Sequence, residues 1–116
     1  MTPDQFRRLA LSFADTEEHA HHHHPDFRVG GKIFAALGYP DETCAMVILT
    51  PEQQAELLHD HPEVFAPAAG AWGHNGSTTI ALPKVTKAIL QPAIQAARQK
   101  ALAATSAAKK KKPSRC

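Results

Sequence analysis

The chain has 116 residues and 43% hydrophobic side chains, which fits one domain around one modest core, and a second domain is not expected. No stretch approaches the roughly eighteen unbroken apolar residues of a membrane span, and the opening MTPDQFRRLALSFADTEE has no apolar run before a small-residue cleavage site, so a cytoplasmic protein with no membrane partner is expected. The net charge of +2 divides unevenly: residues 105–116 hold five of the 13 Lys and Arg and no acid, which leaves 8 against 11 Asp and Glu, or −3, for the body and argues against a broad cationic surface there.

A helix is expected from Pro3 to about Ala14. Thr2 can cap it, Pro3 suits its first position, Gln5 completes a capping box, and Phe6, Leu9, Ala10 and Phe13 form one apolar stripe. After Asp15 to Glu18 comes the run His19-Ala20-His21-His22-His23-His24, read as a first strand leading into Pro25, which favours extended backbone at His24. Phe27 to Val29 and Lys32 to Leu37 then flank Gly30-Gly31, a pair able to take the positive φ angles of a two-residue hairpin turn. In the expected register Val29 pairs with Lys32, Arg28 with Ile33 and Phe27 with Phe34, so the hairpin has a basic tip.

The loop Gly38 to Glu42 precedes Thr43 to Leu49, an apolar strand suited to the interior of a sheet. Thr50-Pro51-Glu52-Gln53 repeats the cap, proline and box of the first helix, and this second helix should end near Asp60, ahead of Pro62. His61 to Gly76 reads as loop, and Ser77 to Leu82 as a strand in which Thr78, Ile80 and Leu82 alternate with smaller residues. The last helix runs from about Lys84 to Ala104 with a kink or break at Pro92. Residues 105–116 have too little apolar surface to offset ordering and are expected to form a disordered basic tail behind a domain of residues 1–104. The order α-β-β-β-β-α-β-α implies an α+β fold, an antiparallel sheet with helices packed on one face.

The run from His24 to Leu37, HPDFRVGGKIFAAL, followed by Pro67, Ala71-Trp72-Gly73, Gly76 and Thr78, resembles the YjbR/MmcQ family of small bacterial proteins from Phe6 to about Leu102. His24, Pro25, Asp26, Phe27, Gly30, Gly31, Phe34, Trp72 and Gly73 carry the resemblance. It implies a frataxin-like (CyaY-like) sandwich, described for the family as a double-wing DNA-binding motif. The chain departs from the family pattern at Ser77, where relatives commonly carry tryptophan, and at Ala97-Arg98, where an alanine-tryptophan pair is frequent.

Arg28 and Lys32 flank the turn and are the body's best-placed cations for phosphate contacts, while the other reading of Arg28 is a partner for Asp26 or Glu42. The Trp72 to Gly76 stretch would be a second wing or loop, with His74 as a contact and Trp72 as an anchor on the core or a base-stacking ring. Lys109, Lys110, Lys111 and Lys112, with Arg115, would give a salt slope of about −4.5 at roughly −0.9 per phosphate met; the plainer reading is a solvated lysine tail. On one strand His22 and His24 would share a face and could bind zinc, nickel or copper with Asp26 or Glu18, yet nothing completes a set of four fixed ligands, so metal affinity there is read as adventitious.

Cys44 and Cys116 make neither a disulfide framework nor a zinc site. There is no phosphate-cradling glycine loop or nucleophile elbow, and Ser12, Ser77 and Cys44 have no evident paired base. The resulting reading is a non-catalytic protein without a cofactor that contacts duplex DNA, without sequence preference, through Arg28, Lys32, His74 and the tail. The alternative is a small-ligand or protein-interaction module, or metal binding through the histidine run.

Overall fold

Thr2 and Thr50 each accept a hydrogen bond from the backbone N–H three residues on, and the side chains of Gln5 and Gln53 accept from the N–H of the capping threonine in return. These two boxes start α1 (Pro3–Leu11) and α2 (Pro51–Asp60) at the expected residues. The computed structural model describes residues 1–21, 24–38 and 42–115, and the side chains of these except at 21, 71, 72 and beyond 104. Between the helices run β1 (Thr16–His21), β2 (His24–Val29), β3 (Lys32–Leu37) and β4 (Cys44–Ile48); after them come β5 (Phe65–Pro67), α3 (Ala71–His74), β6 (Ser77–Ala81), a 3-10 turn at Leu82–Lys84 and α4 (Lys87–Arg115).

The six strands form one sheet in the order β1-β2-β3-β4-β6-β5, and every neighbouring pair is antiparallel. Alternation along the strands decides the two faces. Phe27, Val29, Ala35, Leu37, Val47 and Ile80 point to the side on which α1 and α4 pack, and all are buried with Phe6, Leu90 and Ile94 of those helices. The fold is therefore α+β, an antiparallel sheet with its helices on one side. Truncating a ring such as Phe27 in this core would cost about 3–5 kcal/mol.

Several local expectations need correction. The first strand is Thr16–His21, not His19 to His24: His21 closes β1, His24 opens β2, and the two are register partners on neighbouring strands. Phe27 pairs with Ala35 rather than Phe34, because the register shifts between Phe27 and Arg28. That bulge inserts one residue in β3 and lets Phe34 reach the core along with Phe27. Pro25 lies ahead of Asp26, where the described β2–β3 pairing starts, so its missing N–H removes no bond from that ladder.

The stretch read as loop from His61 to Gly76 contains a three-residue edge strand and a four-residue helix. α4 starts at Lys87, with Thr86 Oγ1 accepting from the N–H of Ile89, and continues as one helix through Pro92. Pro92 and Ala88 are both exposed, so the Ala88 carbonyl left without an N–H partner can meet water. The helix also continues past Ala104 to Arg115, and the expected boundary between domain and disordered tail falls inside it. Alanine and lysine, which dominate that segment, are among the best helix formers.

Candidate nucleic-acid interface

Gly30 and Gly31 have φ of 59° and 80°, the two positive values of a type I′ turn, and close the β2–β3 hairpin in two residues. Lys32, the next residue, is exposed, and among the described residues no carboxylate lies within ion-pair distance of it. Arg28 is held differently. Its Nε donates to Asp26 Oδ1 at 2.8 Å and its Nη2 to Oδ2 at 3.3 Å, a bidentate pair in which Asp26 is fully buried and Arg28 keeps 29% of its side-chain surface.

The hydrogen bond with Asp26, and then the charges of Asp26 and Glu17, hold the Arg28 guanidinium above its ordinary value against the desolvation that lowers it. A buried carboxylate is costly unless it is paired, so Arg28 belongs to the sheet's own stability before it belongs to any ligand. The pairing with Asp26 weighed from the sequence is the arrangement found, and of the two hairpin cations Lys32 alone is uncommitted.

The topology assembles the other candidates at the same end of the sheet. β4 finishes at Ile48 opposite Ser77, and Pro67 opposes Thr78, so the β5–α3–β6 connection emerges on the side where the β2–β3 hairpin turns. The two turns are three strand spacings apart, about 14 Å at 4.7–4.9 Å each. His74 closes α3 and is exposed, but α3 is a short helix and not a second hairpin wing.

Gln54, buried on α2, fixes this connection. Its Nε2 donates to the carbonyls of Gly73 and Ser77, both at 3.0 Å, and lies 3.3 Å from Thr78 Oγ1. Gly76 explains its own identity: a Cβ there would meet the Leu49 carbonyl oxygen at 1.8 Å, and its φ is 106°. The side chain of Trp72 lies outside the described residues, so neither of its two readings is placed.

α4 runs toward the same end. Arg98 donates from Nη2 to the Ala14 carbonyl at 2.6 Å, beside Thr16, whose register partner Val29 adjoins the turn. Ala101 is the last buried residue of the helix among those whose side chains are described, and the 14 residues from there to Arg115 extend it by about 21 Å at 1.5 Å per residue. Lys109, Lys110, Lys111 and Lys112 lie on this extension. Asp15, Glu17 and Glu52 flank the same end, so among the described residues acids offset the cations there, and Lys32 and the helix extension add positive charge.

The motif His24-Pro25-Asp26-Phe27-Arg28 now has a structural meaning. Phe27 fills the core, Asp26 and Arg28 form the buried pair on the face away from the helices, and His24 lies against Gly38, whose added Cβ would sit 2.7 Å from Nδ1. His22, half of the metal pair weighed from the sequence, lies outside the described residues, and among those described no three His, Cys, Asp or Glu side chains are grouped as metal ligands.

The family model described as YjbR matches residues 11–100. The chain belongs to the YjbR family. A crystal structure of Deinococcus radiodurans protein DR2400, described with family-model domain DUF419, is similar to this YjbR chain at 19% identity and a TM-score of 0.68, over 83% of this chain and 75% of that one. At that identity the likeness shows a shared fold and no more. No curated protein matches the chain. No helix of this YjbR domain, among the described residues, is long and apolar enough to cross a membrane.

Two features of the site were not readable in advance. The burial of Asp26 on the open face had no signature beyond the alternation of His24, Asp26 and Arg28. The convergence of the hairpin turn, α3 and the end of α4 depends on strand order, which spacing along the chain does not encode.

Proposed function

We propose that this YjbR protein is a non-catalytic, cytoplasmic domain that contacts duplex DNA through phosphate charge, using Lys32 at the hairpin tip and the lysine-rich end of α4. The observation that supports this most is the placement of the uncommitted cation Lys32 at the end of the sheet toward which α4 carries five further cations. The separation of about 14 Å between the hairpin and the α3 connection is close to the width of a major groove, about 12 Å. Contacts of this kind are to the backbone and carry no sequence preference. Arg28 is not among them, because Asp26 occupies its guanidinium.

The test is binding of a short duplex across salt concentrations by the full chain, by a chain ending at Ala104 and by Lys32→Ala. The full chain should bind with a steep inverse dependence on salt, the shortened chain weakly, and Lys32→Ala with a slope smaller by about 0.9. No binding by the full chain at about 50 mM salt overturns the reading.

A second reading, a small-ligand module, draws on the open cleft of about 490 Å³ between α1 and the start of α4, floored by Leu9 and Val85 and rimmed by Arg8 and Lys87. Its volume lies in the range of ligand pockets.

A further inference from the structure

Gln5, Arg8, Leu9 and Ser12 fall at i, i+3, i+4 and i+7 of α1, a stripe beside the one that fills the core, and they line one open cleft of about 490 Å³ against the residues that lead into α4. Leu9 and Val85 are nearly fully buried and make its floor apolar. Met1, whose ammonium donates to the Leu82 carbonyl at 2.7 Å, lines one wall. Around this floor, Gln5 Oε1 accepts from the Thr2 N–H at 2.9 Å and Thr86 Oγ1 from the Ile89 N–H at 3.3 Å. Each thus has an acceptor spent on the chain's own backbone and a proton still to give. Ser12 is the reverse, since its hydroxyl donates to the Leu9 carbonyl at 2.6 Å.

The sign of the charge here runs against that of the body. Residues 1–104 carry −3, yet among the described residues that line the cleft there is no acid, and Arg8 and Lys87 stand on its rim. Arg8 Nε bonds Asp4 Oδ2 at 3.0 Å, an exposed pair that cancels one charge. Among the described residues no carboxylate lies within ion-pair distance of Lys87, so the rim keeps one net positive charge. We propose that this cleft binds a medium-chain organic monocarboxylate, with the carboxylate at Lys87 and the donors beside it and the chain laid on Leu9 and Val85. The inference rests on the small-ligand reading of the cleft and names the ligand's class.

A monoanion balances the single charge, whereas a doubly charged phosphate leaves one negative charge unmatched on an acidic body and an alkylammonium meets Lys87 as a like charge. An exposed cation holds a bare anion weakly in salt, so the apolar floor supplies affinity and the charge supplies selection. Each methylene moved from water onto the floor should tighten binding about threefold. The site is also separate from the hairpin. Val85 to Lys87 follow β6 where Ala81 pairs with Cys44, and the β2–β3 turn lies beyond the other end of β4.

The experiment is a titration of the full chain with octanoate, hexanoate, octanol and octylammonium, followed by amide NMR shifts, with folding of each variant checked by circular dichroism. Octanoate should bind with a dissociation constant of about 1 mM or below and shift the amides of Gln5, Leu9, Val85 and Lys87. Hexanoate should bind about tenfold more weakly, octanol about fivefold more weakly, and octylammonium weakest of the four. Lys87→Gln should weaken octanoate about fivefold and leave octanol within about twofold, a split that a merely structural role would not produce. Ser12→Trp, a change at an exposed position, should fill the cleft and remove both. Octanol or octylammonium binding as tightly as octanoate, or unchanged octanoate affinity in Lys87→Gln, overturns the choice of a carboxylate and leaves the small-ligand reading standing. No shift of the cleft amides with any of the four, or octanoate binding untouched by Ser12→Trp, overturns both.

Discussion

Arg28 and Lys32 lie four residues apart on one hairpin and carry the same charge, but burial separates their roles. Removing Arg28 leaves the buried Asp26 carboxylate without its bidentate partner, whereas removing Lys32 exposes nothing. Arg28→Ala should therefore lower the melting temperature while leaving the salt slope of DNA binding unchanged, and Lys32→Ala should do the reverse, with a slope reduced by about 0.9. Arg28→Lys should behave like the alanine variant in melting experiments, since an ammonium cannot form the two parallel bonds. Gln54 gives a second test at this scale. Gln54→Leu strands the Gly73 and Ser77 carbonyls beneath α2 and should cost about 1–3 kcal/mol in urea denaturation without altering DNA affinity.

Among the elements, the two threonine-capped helices were legible because capping is local: Thr, Pro and Gln at fixed offsets make the same bonds wherever the helix lies. The two-glycine turn was legible for the same reason. The bulge in β3 and the strand at Phe65–Pro67 were not, because both depend on what lies across the sheet. Gly76 shows how tight that dependence becomes. Gly76→Ala drives a Cβ against the Leu49 carbonyl and should destabilise by more than the about 1–3 kcal/mol expected of backbone strain alone, measured by thermal melting. Pro92 is the opposite case. It stands exposed in an unbroken helix, so Pro92→Ala restores a backbone bond to Ala88 and should raise stability by about 1–3 kcal/mol in the same assay.

At the scale of the whole molecule, the body and the end of α4 carry charge of opposite sign, and the fold separates them in space. Because residues 105–115 carry almost no large apolar side chains to add to the core, a chain ending at Ala104 should melt within about 2 °C of the full chain. Its DNA binding should nonetheless fall sharply, with the salt slope dropping from about −5 to about −1 as five of six phosphate contacts are lost. The sequence alone determined the helix starts, the hairpin turn, the charge division and the family likeness, since each rests on residues adjacent in the chain or on composition. Only the tertiary structure decided that Arg28 is spent on Asp26, that His21 and His24 belong to different strands, and that the hairpin, α3 and α4 meet at one end. Strand order and burial bring together residues far apart in the chain, and no periodicity along it records those encounters.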